Sequence, residues 1–331
     1  VDSFSVGDMV AKIKKVLVCG AGGFIGNYLV ASLKQQGCYV IGADLKSPQY
    51  NNTQADEFYL YDLTQPALAN KLLSSDIDTV YQLAADMGGA EYIFTGNNDA
   101  DIMNNSALIN LNILRGMIVA GIKNVFFTSS ACIYPGYNQK NNLSPLLNEQ
   151  SAYPAEPDSE YGWEKLFSER LYLSFARNYG LRVRIARLHN IFGPFGSWQD
   201  NRAKAPAALC RKVALSDGTI EVWGKGDQTR SFLYIDQCIE GIHRIQNGNY
   251  DQPLNLGSAR MISINDLARL IARIANKDIV IDNIAGPVGV QGRTSDNTLI
   301  KEKLDWEPKD QLEYGLENLY SWINQMIRGK S

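Results

Sequence analysis

The feature that most constrains this chain is an alternation. From Lys14 to Leu188, short apolar runs suited to strands take turns with longer amphipathic stretches suited to helices. The runs at Val16–Val18, Tyr39–Asp44, Glu57–Leu63, Thr79–Ala85, Asn124–Ser130 and Arg182–Leu188 read as strands. Phe24–Gln36, Asp101–Ala120 and Glu160–Asn178 carry helical periodicity between them. Strands separated by helices cannot pair as hairpins, and each helix must cross over the sheet in the right-handed sense. The prediction is an α/β fold: a Rossmann-type, doubly wound parallel sheet with helices on both faces.

After Asn190 the rhythm breaks. Gly193, Pro194, Gly196, Pro206, Gly218, Gly224 and Gly226 punctuate the chain. Short strand-like pieces, Ile220–Trp223 and Leu254–Leu256, mix with helical stretches at Asp236–Gln246 and Ser263–Ala275. This part is expected to form a smaller C-terminal α/β substrate lobe over the carboxyl edge of the sheet. The expected organisation is an N-terminal extension over 1–13, a nucleotide-binding domain over 14–190, and a mainly substrate-binding lobe over 191–331, with the chain free to cross back. A ligand then belongs in the crevice between the lobes.

Composition removes several function classes. A net charge of -3 over 331 residues offers no basic footprint for nucleic acid. No run approaches the roughly 20 apolar residues of a membrane span, and the first residues lack the apolar core of a signal peptide. The five cysteines (Cys19, Cys38, Cys132, Cys210, Cys238) are scattered and odd in number, which suits reduced thiols in a cytoplasmic compartment. With only two histidines, His189 and His243, and no cysteine pair, no metal site is expected.

Gly20, Gly23 and Gly26 lie three apart between the first strand and the first helix, which opens on Phe24 and Ile25. Glycines there let the backbone turn tightly and approach a pyrophosphate, while the helix N-terminus offers unpaired N–H groups. Asp44 ends the second strand, near the offset at which a carboxylate meets the adenosine ribose. It can accept both ribose hydroxyls and would repel a 2′-phosphate, so NAD is expected rather than NADP. Asp62, ending the third strand, can reach the adenine amino group or serve as a turn residue.

Tyr161 and Lys165 share one helical face at i, i+4. A lysine beside a phenol favours the phenolate, which can take the proton of an alcohol as its hydride leaves. Ser130, at the end of the fifth strand, can supply a second hydrogen bond to that oxygen. Together with the glycine turn and Asp44, this constellation resembles the extended short-chain dehydrogenase/reductases, in which these three residues form the hydride-transfer site.

Longer blocks narrow the resemblance. AADMGG (Ala84–Gly89), SSACIYP (Ser129–Pro135), YPAEP (Tyr153–Pro157), HNIFGPFG (His189–Gly196), KAPAALCRK (Lys204–Lys212), QTRSF (Gln228–Phe232) and GRTSDN (Gly292–Asn297) together look like the GDP-mannose 3,5-epimerases. The resemblance implies Cys132 and Lys204 as the acid/base pair at C3 and C5. It implies a GDP-sugar held by Gly88, Asn190, Lys204, Lys212, Gln228, Arg230 and Arg293. It also implies a homodimer built on the two long helices, whose apolar residues include Leu108, Leu111, Leu114, Met117, Leu166, Phe167, Leu171 and Leu173. Ala203 departs from the acidic residue of plant members. Three rivals remain: a GDP-fucose synthase-like epimerase/reductase, which uses a histidine where Lys204 stands; another nucleotide-sugar epimerase or dehydratase; and a non-catalytic NAD-binding regulator. The dehydratase would need a carboxylic acid where Ala131 and Cys132 stand.

Overall fold

A computed structural model describes residues 13–143, 147–199, 203–286 and 289–329. The proposed N-terminal extension, apart from Ile13, lies outside the described residues.

The first half runs β1 (Lys15–Cys19), α1 (Phe24–Gln35), β2 (Tyr39–Asp44), β3 (Glu57–Leu60), α2 (Pro66–Leu72), β4 (Thr79–Gln82), α3 (Ala90–Phe94), α4 (Asp99–Ala120), β5 (Asn124–Ser130), α5 (Glu160–Tyr179) and β6 (Arg182–Leu188). The second half continues through β7 (Ile191–Phe192), α6 (Ala205–Leu215), β8 (Thr219–Trp223), β9 (Thr229–Ser231), β10 (Leu233–Tyr234), α7 (Ile235–Asn247), β11 (Leu254–Leu256), β12 (Met261–Ser263), α8 (Ile264–Ile274), β13 (Val280–Ile284), β14 (Gly292–Arg293), α9 (Thr298–Leu304) and α10 (Leu312–Arg328).

The central sheet has seven strands in the order β11-β6-β5-β4-β1-β2-β3. Each neighbouring pair is parallel. The order reverses between β1 and β4, which opens a crevice at their carboxyl ends. Both faces are covered. Leu17, Val80, Val125 and Phe127 pack with Ile113, Leu114, Met117 and Tyr172 from α4 and α5. Val16, Val18, Val40 and Phe126 pack with Leu29, Val30 and Leu33 of α1 and Ile239 and Ile242 of α7. Burial on both faces explains why these strands read as continuous apolar runs rather than alternating ones.

The strand Leu254–Leu256, expected in the small lobe, is instead the edge strand beside β6. Its three residues are buried, so its side chains belong to the main core. Together with α7, it returns the chain to the nucleotide-binding domain after β7 has left it. The small lobe keeps the paired β8 and β13, the β12-β9-β14 sheet, and the packed helices α6, α8 and α10.

Candidate active site

The turn from β1 into α1 is built by exclusion of side chains. Gly20 sits at φ +83°, and a Cβ there would lie 2.8 Å from the Ala84 nitrogen. A Cβ on Gly26 would lie 2.0 Å from the Gly20 oxygen. Gly22, which the three-residue spacing passes over, is as tightly held: its Cβ would fall 1.9 Å from the Lys46 oxygen. Its N–H donates to Asp44 Oδ2 at 2.9 Å, so the glycine turn and the Asp44 carboxylate form one unit. The Lys46 N–H also donates to Asp44, at 3.3 Å. Burial nevertheless pushes the Asp44 pKa up against these bonds. Asp62 accepts from the Thr64 N–H and hydroxyl through Oδ1, the turn role weighed above. Phe24 and Ile25 begin α1, whose first-turn N–H groups need partners from outside the helix. Among the described residues, this cradle and Asp44 fit an NAD adenosine and pyrophosphate.

Across the reversal point, β5 delivers Ser130 and then a short 3-10 turn, Ala131–Ile133. The Cys132 N–H donates to Ser130 Oγ at 3.2 Å, which fixes both side chains relative to the strand end. Tyr161 enters from the first turn of α5, whose Ser159 caps it by accepting from the Gly162 N–H. Gly162 admits this approach because a Cβ there would lie 2.2 Å from the Cys132 oxygen. Tyr161 and Cys132 pack together with Ile93 and Ile102, with Met87 and Tyr92 against them. Gly88 lies beside this group, with its Cβ position 2.5 Å from the Tyr92 side chain.

The electrostatics differ from expectation in one respect. In the ligand-free chain the Tyr161 phenol is pushed far up, first by burial, then by the neighbouring Cys132 and Glu164, and is drawn back by its hydrogen bond with Ser130. The Lys165 ammonium stands 5.7 Å from the Tyr161 ring centre and donates to the Thr128 oxygen at 3.3 Å. At that depth, desolvation of the phenolate is the largest effect on it. Burial also lowers the Lys165 pKa, while Glu164 and then Glu169 raise it.

Arg293 sits on β14 beside Cys132. It is buried and engaged on three sides: Nε donates to Gln139 at 2.6 Å, Nη1 to Cys132 Sγ at 3.2 Å, and Nη2 to Asp158 at 2.9 Å. Arg230 is its register partner across β9 and β14. The Arg230 guanidinium donates to the Thr229 oxygen at 2.7 Å and the Val290 oxygen at 2.6 Å. Burial and the neighbouring Arg293 bring its pKa down to about 10. Lys204 precedes α6 and keeps contact with solvent. Protein nonetheless crowds its ammonium and pushes the pKa down, with Cys132 and Cys238 opposing.

Ser130, Cys132, Tyr161, Lys165, Lys204, Arg230 and Arg293 thus form one neighbourhood around Cys132 and Tyr161. The remaining predicted substrate residues each bond to a backbone oxygen of the protein itself. Asn190 adopts a left-handed φ of 42° at the β6–β7 junction and donates to the Ser231 oxygen at 2.9 Å. Gln228 donates to the Trp223 oxygen at 3.1 Å, and Lys212 to the Glu221 oxygen at 2.7 Å. His189, left without a task by the sequence, is fully buried against Asn255 at 2.9 Å, and burial holds it neutral with a pKa near 3. Asp158, Gln139 and Glu164 are site residues that motif spacing does not reveal. The first two act from loops far along the chain from Arg293, and Glu164 lies hidden inside the Tyr161–Lys165 spacing.

A parallel sheet with this reversal point, a glycine cradle and a Ser/Tyr/Lys cluster at the carboxyl ends defines a nucleotide-dependent enzyme of the short-chain dehydrogenase/reductase class. The chain belongs to the NAD dependent epimerase/dehydratase family, whose model matches residues 16–257. It is 43% identical over 316 residues to the GDP-mannose 3,5-epimerase of Arabidopsis thaliana, covering 95% of this chain and 83% of that protein. It is 29% identical to a GDP-L-fucose synthase of Sinorhizobium fredii, covering 93% of this chain and 94% of that one. The UDP-glucuronic acid 4-epimerase of Bacillus cereus, solved with UDP-glucuronic acid and NAD, superposes with a TM-score of 0.80 at 26% identity, over 94% of this chain and 99% of that chain.

Proposed function

We propose that this chain converts GDP-D-mannose to GDP-L-galactose, and in part to GDP-L-gulose, as an NAD-dependent 3,5-epimerase. The observation that carries the reading is the cluster around Cys132 and Tyr161. It couples a hydride-transfer Tyr161 to a second acid/base pair, Cys132 and Lys204. A simple 4-epimerase needs only the first. NAD, when bound, accepts the sugar C4 hydride and later returns it, so net redox change is zero.

The residues divide the work. Tyr161, oriented by Ser130, takes the C4 hydroxyl proton, and Lys165 compensates the phenolate charge. The resulting C4 ketone acidifies the protons on C3 and C5, because each carbanion delocalises as an enolate. Cys132 removes a proton from one face, and Lys204 returns one to the other. Crowding by protein lowers the Lys204 pKa, which makes it a readier proton donor than an ordinary lysine. Arg230 and Arg293, neighbours across β9 and β14, supply positive charge for a GDP-sugar. Asn190, Gln228 and Lys212 hold it from the small lobe, and Gly88 leaves room beside Tyr92. Against the fucose-synthase reading stand Asp44, which disfavours NADP, and Lys204 in place of histidine.

The enzyme works as a homodimer. Leu114, Met117 and Leu166 are spent on the core, but Leu108, Trp163 and Phe167 remain exposed along the packed pair α4 and α5, which supports a four-helix contact. Its setting is the cytoplasm, a reading supported by five unpaired cysteines. Among the described residues no helix is long and apolar enough to cross a membrane. Proton NMR of the sugar in D2O tests the reaction: the H3 and H5 signals exchange only if both positions are deprotonated.

A further inference from the structure

Glu164 is the most deeply buried carboxylate beside the reacting groups, with no exposed surface. One oxygen, Oε1, is well held: Ser168 Oγ donates to it at 2.6 Å and Asn110 Nδ2 at 3.2 Å. The other, Oε2, has no hydrogen-bond partner among the described residues. It stands 3.9 Å from Lys165 Nζ. Such an oxygen is costly unless it serves a charge nearby. Around the lysine, the Thr128 oxygen accepts a hydrogen bond from it and Phe127 offers a ring face 4.9 Å away. Its other charged neighbour, Glu169, is already committed to Arg187 at 2.8 Å. Around Glu164 stand Tyr161 and Tyr172, both neutral phenols pushed upward by burial, and Asn110, which also accepts from Gln82 Nε2 at 2.9 Å. Glu164 is therefore the one carboxylate facing Lys165 whose second oxygen is uncommitted.

The geometry points to Glu164 as a positioning residue that keeps Lys165 in its charged form at the hydride-transfer site. This rests on the proposed function only for the roles of Tyr161 and Lys165. Lysine has no charge compensation from a backbone carbonyl or a ring comparable to that of a carboxylate. Without Glu164, the buried ammonium would give up its proton more readily, and the cationic partner of the Tyr161 phenolate would be lost.

Glu164→Gln is the direct probe, because an amide oxygen keeps the bonds from Ser168 and Asn110 while the charge is removed. The first readout is the melting temperature of the ligand-free protein between pH 7 and pH 10. In the unfolded chain lysine stays charged up to about pH 10.4, whereas burial lowers its pKa in the fold. The cost of burying that charge is full below the folded-state pKa and vanishes as pH rises through the unfolded value. Glu164→Gln deepens the cost, so the gap from wild type should be widest at pH 7 and close towards pH 10. The second readout does not depend on the Glu164→Gln single variant folding. Lys165→Met strands Glu164 as an uncompensated buried charge, so adding Glu164→Gln to it should raise the melting temperature. In turnover, both limbs of the pH–rate profile should move to lower pH, the basic one by about one unit or more. A pH-independent gap, together with no recovery in the double variant, would reduce Glu164 to packing and overturn the inference. Absence of epimerase activity in the wild type would sink the functional reading alone, since the melting data require no substrate.

Discussion

At the scale of single residues, the roles proposed for Cys132 as the base for carbon and Tyr161 as the base for oxygen should be separable by substitution. Cys132→Ala should still exchange hydride between the sugar and NAD but lose solvent exchange at C3 and C5 by roughly 10²–10⁴-fold. Tyr161→Phe should lose both, because without the ketone no carbon proton is acidic. Deuterium incorporation followed by NMR, beside absorbance of the reduced cofactor, distinguishes them. Asp44→Ala strands the buried Gly22 N–H and removes the ribose acceptor. Calorimetric titration should show NAD binding weakened by about 5- to 150-fold, from a loss of roughly 1–3 kcal/mol. The residues legible in the sequence were those whose chemistry depends on local spacing: Gly20, Gly23 and Gly26, the Tyr161–Lys165 pair, and Ser130 with Cys132. Their partners were illegible for a physical reason. Arg293 meets Cys132 across 161 residues of chain and Asp158 across 135, and no periodicity encodes a contact closed by the tertiary fold.

At the scale of elements, the strand–turn–helix unit that opens the fold is the most tightly determined. A methyl on Gly26 would meet the Gly20 oxygen at 2.0 Å, a backbone atom that cannot yield without opening the turn. Gly26→Ala should therefore lower stability by about 1–3 kcal/mol and remove NAD binding, read as melting temperature with and without cofactor. The six leading strands and three long helices were readable because burial on both sheet faces leaves unbroken apolar runs, and because the helices span several turns. The strand Leu254–Leu256 was seen as a strand but assigned to the wrong layer. Three residues carry no pattern that tells which sheet they join. That is settled by α7, which packs on the sheet beside α1 and brings the chain back.

At the scale of the whole molecule, the site draws on both halves of the chain: β5 and the turn after it provide Ser130 and Cys132, α5 provides Tyr161, and the second half brings Lys204, Arg230 and Arg293. The helical face of α4 and α5 points away from it, with Phe167 about half exposed at 49%. Light scattering at micromolar concentration should give twice the 36.8 kDa chain mass, and Phe167→Glu should return it to the monomer. A monomeric wild type would contradict the dimer without touching the chemistry. The chemistry itself is tested most directly by incubating the protein with GDP-mannose and NAD in D2O and following the sugar by proton NMR. The account predicts loss of the H3 and H5 signals with new galacto and gulo resonances. Unchanged H3 and H5 signals would contradict it.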